Sequence, residues 1–511
     1  MAVQDTERHP TPKPFLTRHG MSTPPIEIAG VPVSPDHYID GRRVASDETF
    51  ACVSPIDQTL LGEIASGNQA HVDAAVTSAV AAFPAWAALG AAQRQPYLQR
   101  FAEAIGRRAD AFATLESADA GVLRSRMAHG VVPRAMQNIT WFAEHALTLQ
   151  DRVIETPQAR HLVRHDPAGV VAVITPWNSP LMLATWKIGP ALASGNTVVL
   201  KAPEWAPLTS SLLSDCAHEA GLPPGVFNLL QGAGATTGAA LVSDARLARI
   251  SFTGSVATAK WIAKTAAANL VPCSLELGGK SAFIVLADAD LDAAAATAAL
   301  MYRNAGQVCL AGTRLLVHAD VAAAFTAKLR DVVANLVVGD PRDAATEVGP
   351  IIHMRQLERV QVFVERAVAG GARVLWGGAP HSFGAQYFAP TLLTDLRQDD
   401  EIVQQEVFGP VLTLQTFTSD EEVVDLANGT DYGLGGVCYG DEAHAIAIAE
   451  RVRTGFIWIN SFGIRDLAAP FGGIKRSGVG REGGDWSFEF FCDVKDVVVP
   501  KQPFKASFSH R

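Results

Sequence analysis

Short runs of branched apolar residues alternate along the chain with longer stretches in which apolar residues recur every three or four positions. A short apolar run reads as a buried strand and the longer period as an amphipathic helix, so the alternation argues for parallel α/β units. Strands are predicted at 169–175, 197–201, 227–230, 249–253, 281–286 and 313–317. Helices fall between them, for example over 208–220, where Gly221, Leu222 and Pro223 supply the stop signal. Upstream, 71–86 and 93–117 each read as one amphipathic helix, and the Ala-rich 291–300 as a buried helix. A last strand at 495–500 lies far from its neighbours in sequence, so it is free to pair outside its own domain or with another subunit. No tandem repeat is visible.

Length changes this picture first, because 511 residues exceed one simple core and point to two or three domains. With 48% apolar and 18% charged residues, a large buried interior can form. A net charge of −10 and the lack of any dense Lys/Arg run argue against nucleic acid and anionic membrane surfaces as partners. No apolar run is long enough for a membrane span. The six cysteines, Cys52, Cys216, Cys273, Cys309, Cys438 and Cys492, are scattered and never spaced as CxxC. That spacing indicates neither a zinc site nor a disulfide framework, so no metal is expected and a reducing compartment, the cytoplasm, is. The first 25 residues hold Pro, Thr and charge without an apolar segment, so the N-terminus is expected to be a loosely docked tail and not a secretory signal.

Two short stretches carry candidate chemistry. Cys309 lies in a loop among small residues, with Gly306 before it and Gly312 after it, and glycine lets a substrate approach the backbone. Glu276 stands between Leu275 and Leu277, ahead of a Gly278-Gly279 bend. A carboxylate held among apolar residues has a raised pKa and can act as a base near neutrality. A cysteine with a lowered pKa or a nearby base, and such a carboxylate, suit a two-step reaction: thiolate attack on a carbonyl, then activation of water to release the product. The other five cysteines read as small buried hydrophobes.

With Thr175-Pro176-Trp177-Asn178, Lys201-Ala202-Pro203-Glu204, Phe252-Thr253-Gly254-Ser255 and Glu406-Val407-Phe408-Gly409-Pro410 following in order, the chain resembles the aldehyde dehydrogenase superfamily from about 37 to 500. The resemblance implies an α/β fold with a Rossmann-like NAD-binding domain over 36–146 and 166–275 and an α/β catalytic domain over 276–481. It also implies a small β oligomerisation element from 147–165 and 482–511, a tail over 1–35, and a homodimer or homotetramer. Residues 152–155 and 160–164 read as the two hairpin strands of that element. In this family the cysteine is the nucleophile, the glutamate activates water, and Asn178 with the Cys309 N–H holds the oxyanion. Thr175, Trp177 and Leu277 are assigned to the cofactor site, and Lys201 and Glu204 to the adenosine ribose. A carboxylate there repels a 2′-phosphate and favours NAD over NADP. Gly254 and Ser255 open a helix whose N–H groups meet the pyrophosphate, although Val256 and Ala259 replace the family's usual Thr and Gly. The stretch 232–238 is a near match to a dinucleotide fingerprint with its spacing one residue too long. Glu406 is assigned to the nicotinamide ribose and Phe408 to the nicotinamide ring.

The substrate, a small aldehyde, is read from two further stretches. Residues 177–186 and 460–467 resemble the hydroxymuconic semialdehyde and 5-carboxymethyl-2-hydroxymuconic semialdehyde dehydrogenase group, which implies a carboxylated semialdehyde from aromatic catabolism. Arg465 is then a planar fork for the substrate carboxylate; its other reading is a surface arginine paired with Asp466. Arg124 or Arg126 is the second basic residue expected at the entrance, and Phe471 lines the tunnel. The alternatives are a dehydrogenase for neutral aliphatic, aromatic or amino aldehydes and, from another class, a catalytically silent relative. The intact set of Cys309, Glu276 and Asn178 argues against the last.

Overall fold

The computed structural model describes residues 22–149 and 151–504, so positions 1–21 of the expected tail lie outside the described residues. An eight-stranded sheet runs in the order Gly478–Val479, Cys273–Leu277, Leu247–Gly254, Val170–Ile174, Thr197–Lys201, Phe227–Leu230, His37–Ile39, Arg42–Val44. The five strands from Cys273–Leu277 to Phe227–Leu230 are mutually parallel. Alternate residues go to opposite faces, as the pleat requires. Val171, Val173, Val198 and Leu200 join one core, while Val170, Ala172, Ile174 and Val199 join the other. Both faces are covered, which is why Val170–Ile174 can be apolar and buried at all five positions.

The connection order of this sheet positions the site. From Val170–Ile174 the chain steps outward through Thr197–Lys201 and Phe227–Leu230, then returns to the other side of Val170–Ile174 as Leu247–Gly254. The strand order reverses there, and such a switch point opens a crevice beyond the carboxyl ends of the strands. Asn178, Lys201, Gly254 and Leu277 all lie at or just past those ends.

A second sheet of seven strands runs Arg373–Trp376, Thr391–Thr394, Val411–Phe417, Arg314–His318, Ala282–Val285, Gly436–Tyr439, Trp458–Ile459. Cys309 lies just ahead of its strand Arg314–His318. A three-stranded antiparallel sheet joins Arg152–Glu155, Ala159–Pro167 and Cys492–Pro500. Among the described residues no helix is long and apolar enough to cross a membrane, and no group of three or more His, Cys, Asp or Glu side chains could hold a metal ion.

The structure corrects four expectations. The helix expected over 93–117 is two, Ala91–Arg107 and Ala109–Ala120, with Arg108 at φ −107° between them. Apolar spacing continues through the break; what fixes the corner is tertiary, because Arg108 pairs with Glu219 at 2.9 Å. The helix Leu291–Ala299 buries one face only, through Ala294, Ala295, Ala298 and Ala299, because alanine alone does not mark which side meets solvent. Within the expected tail, Ile26–Ile28 and Val31–Val33 form a hairpin through Ala29 and Gly30, both at positive φ, and bury Ile28 and Val33 in the main core. In the last segment, the helix Gly484–Phe491 packs Phe488 and Phe491 into that same core, and Cys492–Pro500 is the part of its described residues that enters the three-stranded sheet; 505–511 lie outside the described residues.

Candidate active site

The backbone before Cys309 is held in an uncommon conformation. Asn304, Ala305 and Gly306 take positive φ in succession, at 54°, 52° and 69°. Left-handed backbone costs a non-glycine residue about 1–2 kcal/mol, so neighbours must hold it. Gly306 abuts the backbone of Gly409 with no room for a Cβ. Gln307, fully buried, donates to Asn304 O at 2.9 Å and accepts from Ile352 N–H at 3.0 Å. Asn178 Nδ2 donates to Gln307 O at 2.9 Å, and Asn304 Nδ2 donates to Asn178 O at 3.1 Å. Segments distant in sequence thus fasten the cysteine loop and aim the Asn178 amide at it.

Glu276 lies in register with Thr253 on the neighbouring strand and is 4% exposed. Its Oε1 has no hydrogen-bond partner among the described residues. A Cβ on Gly472 would lie 2.7 Å from that oxygen, so the bend after Phe471 needs glycine where the carboxyl leans on it. Burial first, then the charge of Glu482, hold the Glu276 carboxyl well above the ordinary range, against the pull of Lys187. Desolvation pushes the half-buried Cys309 thiol up to about 12, with Glu406 and Glu276 adding to the effect and Arg465 opposing it.

Two cavities meet at Asn178, Thr253, Leu277 and Cys309. The first is lined by Arg126, Arg465 and Phe471, three of the residues read as substrate contacts, and by Trp186 and Glu276. The Arg465 guanidinium lies 3.7 Å from the Phe471 ring centroid and 4.8 Å from that of Trp186. It does not pair with Asp466, whose carboxylate accepts from Ala468 N–H at 2.8 Å. Arg124 is not on this wall: it pairs with Asp110 at 2.6 Å and lines a different cavity, because two helical steps, about 200° of rotation, turn it away from Arg126.

The second cavity is lined by Trp177, Gly254, Ser255, Glu406 and Phe408, as expected, and by Arg359. Ser255 caps the helix Val256–Ala267 through Thr258 N–H at 3.2 Å, which leaves the first N–H groups without intrahelical partners. Burial pushes the Glu406 carboxyl up to about 7, while its Oε1 accepts from Gly279 N–H at 3.0 Å. Phe408 is held at φ 57°, edge-on to Trp177 with centroids 5.2 Å apart. Thr175 is buried one residue behind this wall, and its hydroxyl is unpartnered among the described residues. Lys201 and Glu204 sit further along, 3.5 Å apart, and Glu204 accepts from Gly234 N–H at 2.6 Å. The near-fingerprint therefore meets Glu204 through Gly234, and residues Gly234–Gly238 form a π turn. Carboxylates that accept from ribose hydroxyls and free helix N–H groups that donate to phosphate make a set that fits a dinucleotide.

Sequence reasoning missed a buried ion pair behind Glu276. Lys187 Nζ lies 2.5 Å from Glu482 Oε1, and Trp186 Nε1 donates to Glu482 Oε2 at 2.5 Å. One signal was present: Lys187 is the single charge in the otherwise apolar helix Pro180–Ala193. The aldehyde dehydrogenase family model matches residues 43–497. The chain belongs to the aldehyde dehydrogenase family. The 2-hydroxymuconic semialdehyde dehydrogenase of Pseudomonas sp. (strain CF600) is 38% identical over 479 residues, 91% of this chain and 99% of that protein. The HpcC structure from Thermus thermophilus is similar at a TM-score of 0.91 and 37% identity, covering 95% of this chain and 99% of its own. An indole-3-acetaldehyde dehydrogenase from P. syringae, solved with NAD+, is similar at 0.90 and 37% identity, covering 92% and 97%. This aldehyde dehydrogenase is an NAD-dependent oxidoreductase.

Proposed function

We propose that the enzyme oxidises a carboxylated semialdehyde from aromatic catabolism to the dicarboxylic acid. The observation that carries this reading is Arg465, which faces the substrate cavity beside Cys309 with no carboxylate partner among the described residues. Arg126 lines the same cavity, and two guanidiniums suit one carboxylate. The name of the 38% identical relative agrees.

Cys309 loses its proton and its Sγ attacks the aldehyde carbon. That proton leaves to water in the cavity, which keeps Glu276 free to act as the base in the second step. Asn178 Nδ2 and the Cys309 N–H receive the oxyanion. Bound NAD, held by Lys201, Glu204, Ser255, Glu406 and Phe408, supplies the hydride acceptor. Glu276 then takes a proton from water, the hydroxyl attacks the thioester carbon, and the acid leaves as Cys309 regains its thiol. Glu482, fixed by Lys187, is the next carboxylate along and passes the proton on.

A second reading has its own support, since Trp186 and Phe471 offer aromatic walls to a neutral aromatic aldehyde and use Arg465 as a stacked cation. NADH absorbance across neutral, amino and carboxylated aldehydes decides between them. A higher kcat/KM for carboxylated semialdehydes upholds the first, and a preference for neutral ones the second. The three-stranded sheet exposes Val494 (61%) and Val498 (53%), which supports its role in dimer or tetramer assembly; light scattering on the eluting protein tests it. Six unpaired cysteines support a reducing compartment such as the cytoplasm.

A further inference from the structure

Glu116 is a carboxylate that the reaction does not touch and that solvent does not reach. It lies on the helix Ala109–Ala120, is fully buried, and has one oxygen, Oε1, without a partner among the described residues. A buried carboxylate with unfilled hydrogen bonds costs stability, so packing alone gives no reason for it. Its other oxygen has a specific partner: Oε2 accepts from Leu181 N–H at 3.1 Å, across 65 residues of sequence. Burial pushes the carboxyl up to about 7, with the Leu181 N–H opposing.

Leu181 belongs to the first turn of the helix Pro180–Ala193, and that turn does not cap itself. Ser179 stands at the N-cap, where a serine hydroxyl usually accepts from the first turn, yet it makes no such bond. Pro180 follows with no N–H to offer. Leu181 is therefore the first residue within the helix whose N–H needs an acceptor, and Glu116 supplies it from another element. A negative charge also suits the positive end of a helix. The same element does this a second time: Asp119 Oδ2 accepts from Leu208 N–H at 3.0 Å, at the start of Leu208–Glu219, whose Pro207 cap gives no side-chain bond either. One helix thus holds the starts of two others, and only the first of these has Asn178 at its entry.

Asn178 stands three residues before Leu181. Its amide donates to Gln307 O and its carbonyl accepts from Asn304 Nδ2, which ties it to the cysteine loop. On the helix side, the fixed point of this short segment is the bond from Leu181 to Glu116. The amide is thus held from both directions. A donor for a developing oxyanion must be in place before the charge forms, and a small displacement weakens it steeply.

We infer that Glu116 is a positioning residue for the oxyanion site: by capping the helix Pro180–Ala193 through Leu181, it holds Asn178 where its amide meets the substrate oxygen. This rests on the role given to Asn178 above and adds the anchor behind it.

Single-turnover NADH formation, with enzyme and NAD in excess over the aldehyde, reads the step that the oxyanion donors assist. Glu116→Ala should slow it on the order of tenfold and leave the Kd for NAD, measured by calorimetry, within about twofold. Glu116→Gln keeps an oxygen for the Leu181 N–H and should recover most of the rate. Asn178→Ala should be slow by itself, and in that background Glu116→Ala should cost nothing further, because the amide it positions is gone. Where Glu116→Ala does not fold, Glu116→Asp, whose shorter stem withdraws the acceptor, takes its place in both backgrounds. A full Glu116 effect in the Asn178→Ala background overturns the inference, since a general loosening of the fold would give that result. Equal losses of rate and NAD affinity overturn it too, as does a Glu116→Ala or Glu116→Asp enzyme as fast as the wild type while Asn178→Ala is slow. An Asn178→Ala enzyme as fast as the wild type removes the oxyanion role itself and the inference with it, so the two failures are told apart.

Discussion

The two cavities that meet at Cys309 are built in opposite ways. On the Glu406 side the walls are strand ends, a capped helix start and glycines pressed against carboxylates, so the backbone defines the shape. On the Arg465 side, beyond the cysteine loop, the walls are long side chains from two helices, a strand end and a late loop, which distant segments bring together. One half recognises a constant partner through main-chain geometry, and the other reads a variable partner through replaceable side chains. Substitutions at the junction should therefore abolish chemistry, those on the side-chain half should sort substrates, and those at the far end of the backbone half should move only cofactor choice.

The junction carries the largest expected effect. Cys309→Ser should lower turnover by about a thousandfold or more, because a serine hydroxyl is far less ionised than a thiol at neutral pH. NAD binding, followed by calorimetry, should survive, since the cofactor wall is untouched. Near-normal NADH formation would remove the cysteine from its role and with it the idea of a shared wall.

Glu276→Gln comes next, with steady-state turnover down by roughly 10²–10⁴. Acylation should persist, so rapid mixing should show a burst of about one NADH per site before the slow phase. The pH profile sharpens this. Burial holds Glu276 above the ordinary carboxylate range, and the base works only when ionised. The acid limb of the hydrolysis rate should therefore lie at higher pH than an exposed glutamate would give, and should vanish in the Gln variant. Loss of the burst together with the steady state would assign Glu276 to the first step alone.

Glu406 gives the corresponding test in stability. Its carboxyl is pushed from 4.5 up to about 7 by burial. The folded state then holds a proton that the unfolded state has released, so this group's contribution falls as pH rises from about 4.5 to 7. Glu406→Gln should flatten the melting temperature across that window, by an amount on the order of 1–3 kcal/mol. An unchanged slope would mean that the carboxyl is better solvated than its burial implies, with the Gly279 N–H bond holding it ionised.

Arg465→Ala should raise KM for a carboxylated semialdehyde by on the order of tenfold, as expected for about 1.5–3 kcal/mol from a charged hydrogen bond, and leave a neutral aldehyde almost untouched. Equal losses on both would mark Arg465 as a packing residue between Trp186 and Phe471.

The same asymmetry explains what could be read before any coordinates. Strands such as Thr197–Lys201 and Phe227–Leu230 coincide with their apolar runs, because burial on both faces leaves a continuous signal. Cys309, Glu276, Asn178 and Glu406 lie in short stretches where glycine and apolar neighbours mark the local geometry. Arg108 ends a helix through a partner more than a hundred residues away, and Lys187 meets Glu482 across nearly three hundred. Neither leaves a local pattern. Arg124 and Arg126 were indistinguishable in sequence and are separated only by about half a helical turn.

The smallest expected effect lies at the far end of the backbone half. Glu204 pairs with Lys201 at 3.5 Å and accepts from Gly234 N–H at 2.6 Å. Glu204→Gln keeps an oxygen for that N–H and removes the charge, so the loop should hold while repulsion toward a 2′-phosphate disappears. The Glu204 side chain is 40% exposed, so water and salt screen the interaction to about 1 kcal/mol. Relative kcat/KM for NADP over NAD should therefore rise by roughly fivefold. Lys201, freed from its carboxylate partner, adds a cation for the phosphate and pushes the change in the same direction. Raising the ionic strength should shrink the difference between variant and wild type, because the effect is electrostatic and partly exposed. A wild type that already prefers NADP, or a variant whose preference ignores salt, would show that cofactor choice is set by the shape of the Gly234 turn and not by the carboxylate beside it.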